Sequence, residues 1–286
     1  MGRSAVGSCP AIPGRAATQN LGPSLRSGSA VIDSAFFSTP EWVILAGDQL
    51  QVDCIASDRP SDSPPLDLQF PITQIALDYQ STSEALEMAA IAVEAGFDWL
   101  EIGTPLVTCQ GLAPVRAVVD AFPSIPVVVD YKTMDGGRRN VRHTKEEGAR
   151  IMTVCGNASD ATVLSAISAG KELGIGVVVD TIGAADKPSR ARQCHKWGAD
   201  LVYLHYSADE RSADPTRDSI QWLPATLDAT SGPVGVSTFG VTDAVQAARM
   251  GADYFIIGHP LTAAEDPHSA LKNYVEEVKG NYHSRH

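Results

Sequence analysis

The chain has 286 residues, 44% of them hydrophobic and 20% charged, with a formal net charge of −12 at pH 7. That is the composition of a globular protein, long enough for one large domain or two modest ones. The acidic balance excludes a general nucleic-acid or anionic-membrane binder, which needs a basic surface, but leaves room for an anionic small substrate in a locally positive site.

Five scattered cysteines, Cys9, Cys54, Cys109, Cys155 and Cys194, are odd in number and contain no CxxC pair. They fit neither a disulfide framework nor a zinc site and point to a reducing, cytoplasmic setting. No apolar run approaches the roughly 20 residues of a membrane helix. The N-terminus carries Arg3 and Arg15 but lacks the continuous apolar core of a secretion signal. Residues 1–70 are rich in Ser, Pro, Gly and Asp and end in "SDRPSDSPPLDLQF"; only "EWVILAGDQLQVDCIA" has strand character. This segment reads as a low-complexity, poorly structured extension.

From Ile72 a rhythm begins. Short apolar strands, "ITQIALD", "DWLEIG", "PVVVDYK", "RIMTVCG", "GVVVD", "LVYLH", "PVGVS" and "YFIIG", alternate with segments such as "SEALEMAAIAVEAG" that are apolar at helical spacing. Gly96, Gly148, Gly174, Gly198 and Gly251 stand where a helix stops and turns into the next strand. The strand ends recur roughly every 25 residues, and strands apolar along their whole length belong to a parallel sheet covered on both faces. Eight such units predict a (β/α)₈ TIM barrel over residues 71–286. An open doubly wound sheet is the weaker reading, because "ALDYQSTSE" has no Gly-rich nucleotide loop.

In a barrel the active site lies at the C-terminal strand ends. In order these are Asp78, Glu101, Asp130 with Lys132, Cys155–Gly156, Asp180, His205, Ser237 and Gly258. Acids at strand ends often cap the following helix, yet four carboxylates, a lysine and a histidine around one mouth exceed what capping needs. Strand alternation puts Asp130 and Lys132 on the same side. A charge pair at about 4 Å is worth roughly 4 kcal/mol at an effective dielectric of 20, so flanking acids keep Lys132 protonated. It then serves to donate a proton or steady an oxyanion, not as a base. Glu101 and Asp130 on neighbouring strands offer hard oxygen ligands for Mg²⁺, which would stabilise an enediolate.

The D-x-K-x-x-D pattern of "DYKTMD", in register with "ALD", "LEIGTPL", "VVVDTIG" and "LVYLHYSADE", resembles the orotidine 5′-phosphate decarboxylase superfamily. It is most similar to the branch holding 3-hexulose-6-phosphate synthase and 3-keto-L-gulonate-6-phosphate decarboxylase. The resemblance implies a homodimer with shared active sites. It implies that Asp78 binds substrate hydroxyls, Glu101 and Asp130 hold Mg²⁺, and Lys132 faces the reacting oxygens. Asp135 would reach a partner subunit's site, and His205 would move the proton. Asp180 reads as a supporting residue that orients a metal ligand.

Orotidine 5′-phosphate decarboxylases use no metal and lack the strand-two glutamate, so Glu101 favours the sugar-phosphate branch. Within it, the decarboxylases are similar to one another in "KxADAG" and in an arginine three residues after the strand-six histidine. Here the text is "KTMDGG" and the position is Ala208. Both features resemble the synthase, an aldehyde-lyase that joins formaldehyde to ribulose 5-phosphate; the carboxy-lyase is the alternative.

The family's Gly-rich phosphate loops after strands seven and eight are replaced by "VSTFGVTD" and "IIGHPLT". Ser237, Gly240, Gly258 and His259 are the remaining candidates for holding a phosphorylated ketose there, while Pro260 contributes no amide. These loops keep open a non-catalytic, metabolite-binding barrel, against which the intact DxKxxD argues. His143, His195, His268, His283 and His286 read as surface residues.

Overall fold

A computed structural model describes residues 68–285. The extension expected over residues 1–70 therefore lies, up to residue 67, outside the described residues. The strands are β1 (Ile72–Leu77), β2 (Trp99–Ile102), β3 (Val127–Thr133), β4 (Ile151–Cys155), β5 (Gly176–Asp180), β6 (Leu201–Leu204), β7 (Val234–Ser237) and β8 (Tyr254–Ile257). They pair in parallel in chain order, and β8 returns to β1 to close the barrel. Around them run α1 (Thr82–Ala95), α2 (Thr104–Gln110), α3 (Ala113–Ala121), α4 (Gly137–Glu146) and α5 (Asp160–Leu173). The second half adds α6 (Lys187–Trp197), α7 (Ala208–Ala213), α8 (Leu223–Ala229), α9 (Val241–Arg249) and α10 (Pro267–Asn281). The expected (β/α)₈ barrel is the fold observed.

Alternation along each strand divides the buried residues into two cores. Outward side chains such as Ile75, Leu77, Leu100, Val129, Phe255 and Ile257 pack on the Ala85, Ala89, Ala92, Ala244, Ala247 and Ala248 faces of the helices. Small alanines let the helices lie close on the sheet, and each fully buried Leu or Ile contributes roughly 1.5–3 kcal/mol. Inward side chains, among them Ile72, Trp99, Val128, Ile151, Val178, Leu201 and Ile256, fill the barrel. The same inward register carried one step further along the strands delivers Asp78, Glu101, Asp130, Asp180 and His205 to the mouth.

Two tyrosines sit inside the barrel, Tyr203 and Tyr254. Gly235 makes room for the second, because a Cβ there would lie 2.4 Å from the Tyr254 ring. The five helix-ending glycines anticipated from the sequence all have positive φ. Among the described residues no helix is long and apolar enough to cross a membrane.

Candidate active site

The mouth is built around β3. Its pairing with β4 slips between Val129 and Thr133, and Lys132 adopts φ 47°, a left-handed conformation that costs a non-glycine residue about 1–3 kcal/mol. Asp130 and Lys132 thus meet through an irregular strand rather than through simple alternation.

Asp130, almost wholly buried, is saturated with donors. Thr153 Oγ1 donates to its Oδ1 at 2.6 Å and Thr104 Oγ1 to its Oδ2 at 2.8 Å. The Lys132 backbone N–H reaches Oδ1 at 3.3 Å, and the Lys132 ammonium pairs with Oδ2. The same ammonium lies 3.2 Å from Asp180 Oδ2. Burial alone would lower the Lys132 pKa, but Asp130, Asp180 and Glu101 outweigh it and hold the amine well above its usual value. The lysine is a fixed cation, as expected from its flanking acids.

Glu101 is buried and steadied by a relay from the barrel interior. Tyr254 O–H donates to Gln74 Oε1, and the Gln74 amide donates to Glu101 Oε2. Burial first, then Asp130 and Asp78, push this carboxyl well above the ordinary carboxylate range, against the pull of Lys132. Asp78 reaches solvent at the mouth, and its carboxyl is also raised, by the surrounding protein and by Asp130. One glycine defines its place: a Cβ on Gly103 would lie 2.1 Å from Asp78 Oδ1, whereas one on Gly258 would meet Ala76 at 3.2 Å and only touch Asp78 Oδ2 at an ordinary 3.6 Å. The "EIGT" motif thus gives Asp78 its seat through Gly103 and buttresses Asp130 through Thr104.

Asp180 joins the lysine to the histidine. Fully buried at the end of β5, it accepts from Tyr203 O–H at 2.7 Å, from the Ile182 N–H at 2.8 Å and from His205 Nδ1 at 2.9 Å, besides facing Lys132. Burial would raise its pKa, but His205, Lys132 and Tyr203 together hold it well below the usual range. It is therefore the anionic link between lysine and histidine, and through Lys132 it also bears on Asp130. Its hold on Nδ1 leaves Nε2 as the imidazole nitrogen available for exchange. Cys155 nearby is inert as a nucleophile, since burial and then Asp180 push its thiol up to about 12.

The other expected site residues fall further out. Asp135 is exposed beyond β3 and makes no hydrogen bond or ion pair with the described residues. Ser237 shares a 2.8 Å hydrogen bond with Ser219, so its hydroxyl ties β7 to the 3₁₀ turn Ser219–Trp222. Gly240 caps α9 without a side-chain bond, and His259 is exposed. His195 is not a surface residue: half-buried on α6, it bonds Thr230 Oγ1 through Nδ1 at 2.8 Å at the opposite end of the barrel.

Sequence reading did not assign roles to Gln74, Gly103, Thr104, Thr153, Tyr203 or Tyr254. The available signal was a polar side chain at an inward position of an otherwise apolar strand, most plainly Gln74 in "ITQIAL" and Thr153 in "IMTVC".

The donor chemistry accommodates a divalent cation. Glu101 keeps one oxygen uncommitted among the described residues, and three mutually repelling carboxylates share the mouth with one lysine. Asp130 would join by releasing one donor, the Lys132 ammonium being the one on a flexible stem, which keeps its 3.2 Å pair with Asp180. No three His, Cys, Asp or Glu side chains among the described residues form an enclosing metal cage. Glu101 with its free oxygen, and Asp130 once a donor is released, would nonetheless form the two-carboxylate set that Mg²⁺ uses when water and substrate oxygens complete its shell.

Fold and mouth together define a (β/α)₈-barrel enzyme with a buried lysine–carboxylate array. The model of the Orotidine 5′-phosphate decarboxylase / HUMPS family matches residues 71–274. The chain belongs to this family and, with it, to the carbon–carbon lyases. It is 38% identical over 204 residues to a 3-hexulose-6-phosphate synthase of Mycobacterium gastri, covering 70% of this chain and 95% of that protein. The structure of 3-hexulose-6-phosphate synthase from Salmonella typhimurium superposes with a TM-score of 0.70 at 30% identity, over 74% of this chain and 100% of the other. A 3-keto-L-gulonate-6-phosphate decarboxylase from Vibrio cholerae O1 biovar El Tor shares the fold, with a TM-score of 0.66 at 23% identity over 75% and 100% of the two chains.

Proposed function

We propose that the chain is a 3-hexulose-6-phosphate synthase-like aldehyde-lyase, adding formaldehyde to ribulose 5-phosphate in a Mg²⁺-dependent aldol reaction. The observation that carries this reading is the Lys132 ammonium clamped between Asp130 and Asp180, with Asp180 also fixing His205. The array keeps a cation and an oriented imidazole side by side in the mouth.

In this reading Asp78, lying against Gly103 and Gly258, positions the sugar hydroxyls. His205 takes the C1 proton of ribulose 5-phosphate, and Asp180 stabilises the imidazolium that results. The C–H electron pair forms the C1–C2 double bond while the carbonyl oxygen becomes the enediolate oxygen beside Lys132. C1 then attacks formaldehyde, and the new alkoxide recovers the proton from His205. The C1–C bond is the one formed, and the old C2 carbonyl becomes C3 of the 3-hexulose phosphate. Mg²⁺, held by Glu101 and Asp130, would supply Lewis-acid neutralisation of adjacent substrate oxygens. The only large exposed hydrophobic among the described residues, Met134, adjoins the exposed Asp135. That pairing supports a homodimer in which this loop is covered by a second copy and Asp135 serves the neighbouring site.

The test is consumption of formaldehyde by the protein with ribulose 5-phosphate and Mg²⁺, stopped by EDTA. A folded protein that leaves formaldehyde untouched would remove the synthase assignment. Release of CO₂ from 3-keto-L-gulonate 6-phosphate, without formaldehyde use, would instead place the chain among the carboxy-lyases.

A further inference from the structure

Four backbone amides of the loops after β7 and β8 are already committed within the chain. The Thr238 N–H is bonded to Ile256 O at 2.9 Å. The Phe239 N–H donates to Asp243 Oδ2 at 2.6 Å, so a carboxylate of this chain already occupies the acceptor position at the strand-seven loop. After β8, the amides of Thr262 and Ala263 bond to Gly258 O and Pro260 O at 3.2 and 3.0 Å. A phosphate brought to the Phe239 amide would meet a filled donor and a negative charge.

A cation stands over the same loop. Arg211, in α7, stacks its guanidinium on the Phe239 ring with Cζ 4.7 Å from the centroid. It forms no ion pair with any described carboxylate. Its one hydrogen bond within the described residues runs from Nη1 to Arg217 O at 3.0 Å, which leaves four of the five guanidinium N–H groups uncommitted. The nearest acid in sequence, Glu210, is engaged instead with the Ser207 N–H and hydroxyl at 2.9 and 3.0 Å. Both α7, after β6, and Phe239, after β7, lie on the face of the barrel that carries Lys132 and His205. Stacking on an aromatic ring fixes the plane of the fork and favours two-point recognition of phosphate oxygens.

We propose that Arg211, seated on Phe239, grips the phosphate of the substrate in this chain, replacing strand-seven-loop amides that Ile256 and Asp243 already hold. The inference rests on the phosphorylated-ketose reading and adds the residue that sets phosphate specificity. It is tested by calorimetric titration of inorganic phosphate into wild type, Arg211→Met and Arg211→Lys, alongside KM and kcat for ribulose 5-phosphate. A charged hydrogen-bond partner is worth roughly 10- to 100-fold in affinity. Arg211→Met is expected to weaken phosphate binding and raise KM by that factor, leaving kcat within a few-fold and melting unchanged. Arg211→Lys should fall between the two.

Phosphate binding and KM unchanged in Arg211→Met, with wild type turning over, would overturn the inference and spare the proposed reaction. A wild type that binds no inorganic phosphate would overturn it as well. Phosphate binding lost with Arg211 in a protein that consumes no formaldehyde would support Arg211 and sink the reaction instead.

Discussion

At the scale of single residues, the mouth depends on small side chains as much as on charged ones. Asp78 lies against Gly103 so closely that a Cβ would fall 2.1 Å from its carboxylate and 3.0 Å from Leu77 O. Gly103→Ala must therefore displace Asp78, whose side chain is too short to yield without leaving its seat. The expected outcome is a KM for ribulose 5-phosphate raised about tenfold or more, with the thermal transition within a few degrees of wild type. Steady-state kinetics and calorimetric melting check it. The acids themselves were legible, since a strand end announces a side chain at the mouth. Gly103 was legible only as part of "EIGT", because what a glycine avoids is set by a neighbour from another strand. The partners of Asp180 were hidden for the same reason: Tyr203, His205 and Lys132 come from β3 and the end of β6, and lateral convergence is not written in any one segment.

At the scale of elements, the alternation of apolar strands with Gly-ended helices specified the barrel because each βα unit must bury two faces. Packing at the lower end was less visible. His195 lies on α6 beneath the segment leading into β7, where a Cβ on Gly232 would come within 2.6 Å of its ring. Burial, and secondarily Arg285, lower its pKa from 6.5 to about 4. The unfolded chain therefore binds a proton at this site between pH 6.5 and about 4 that the folded chain does not. Stability rises with pH across that window and is lost on acidification through it. Melting temperature should fall on the order of 5 °C over this range from this group, and His195→Asn should show a visibly shallower pH slope. Equal slopes in the two proteins would contradict the assignment. Helical spacing placed His195 on α6 but not on its inner face. The Asp243 contact was readable in principle, since an acid at the third helical position reaches back toward the start of its helix.

At the scale of the whole molecule, the Met134–Asp135 part of the DxKxxD motif is exposed, and Asp135 makes no hydrogen bond or ion pair with the described residues. If Asp135 completes a neighbour's site, Lys132→Met and Asp135→Ala are each inactive alone, yet co-refolded mixtures regain roughly a quarter of wild-type activity through mixed dimers with one intact site. No recovery, in a mixture shown by mass to contain mixed dimers, would mean that both residues act within one chain.

The central claim, that a charged lysine and an Asp180-held histidine act together on an enediolate, is tested most directly by proton exchange at C1 of ribulose 5-phosphate. The protein is incubated with the sugar phosphate in D₂O without formaldehyde, and the C1 proton signal is followed by NMR. Loss of that signal is predicted with Mg²⁺ present, abolished by EDTA and by His205→Asn. A C1 signal that persists in folded, Mg²⁺-supplied protein would contradict the account.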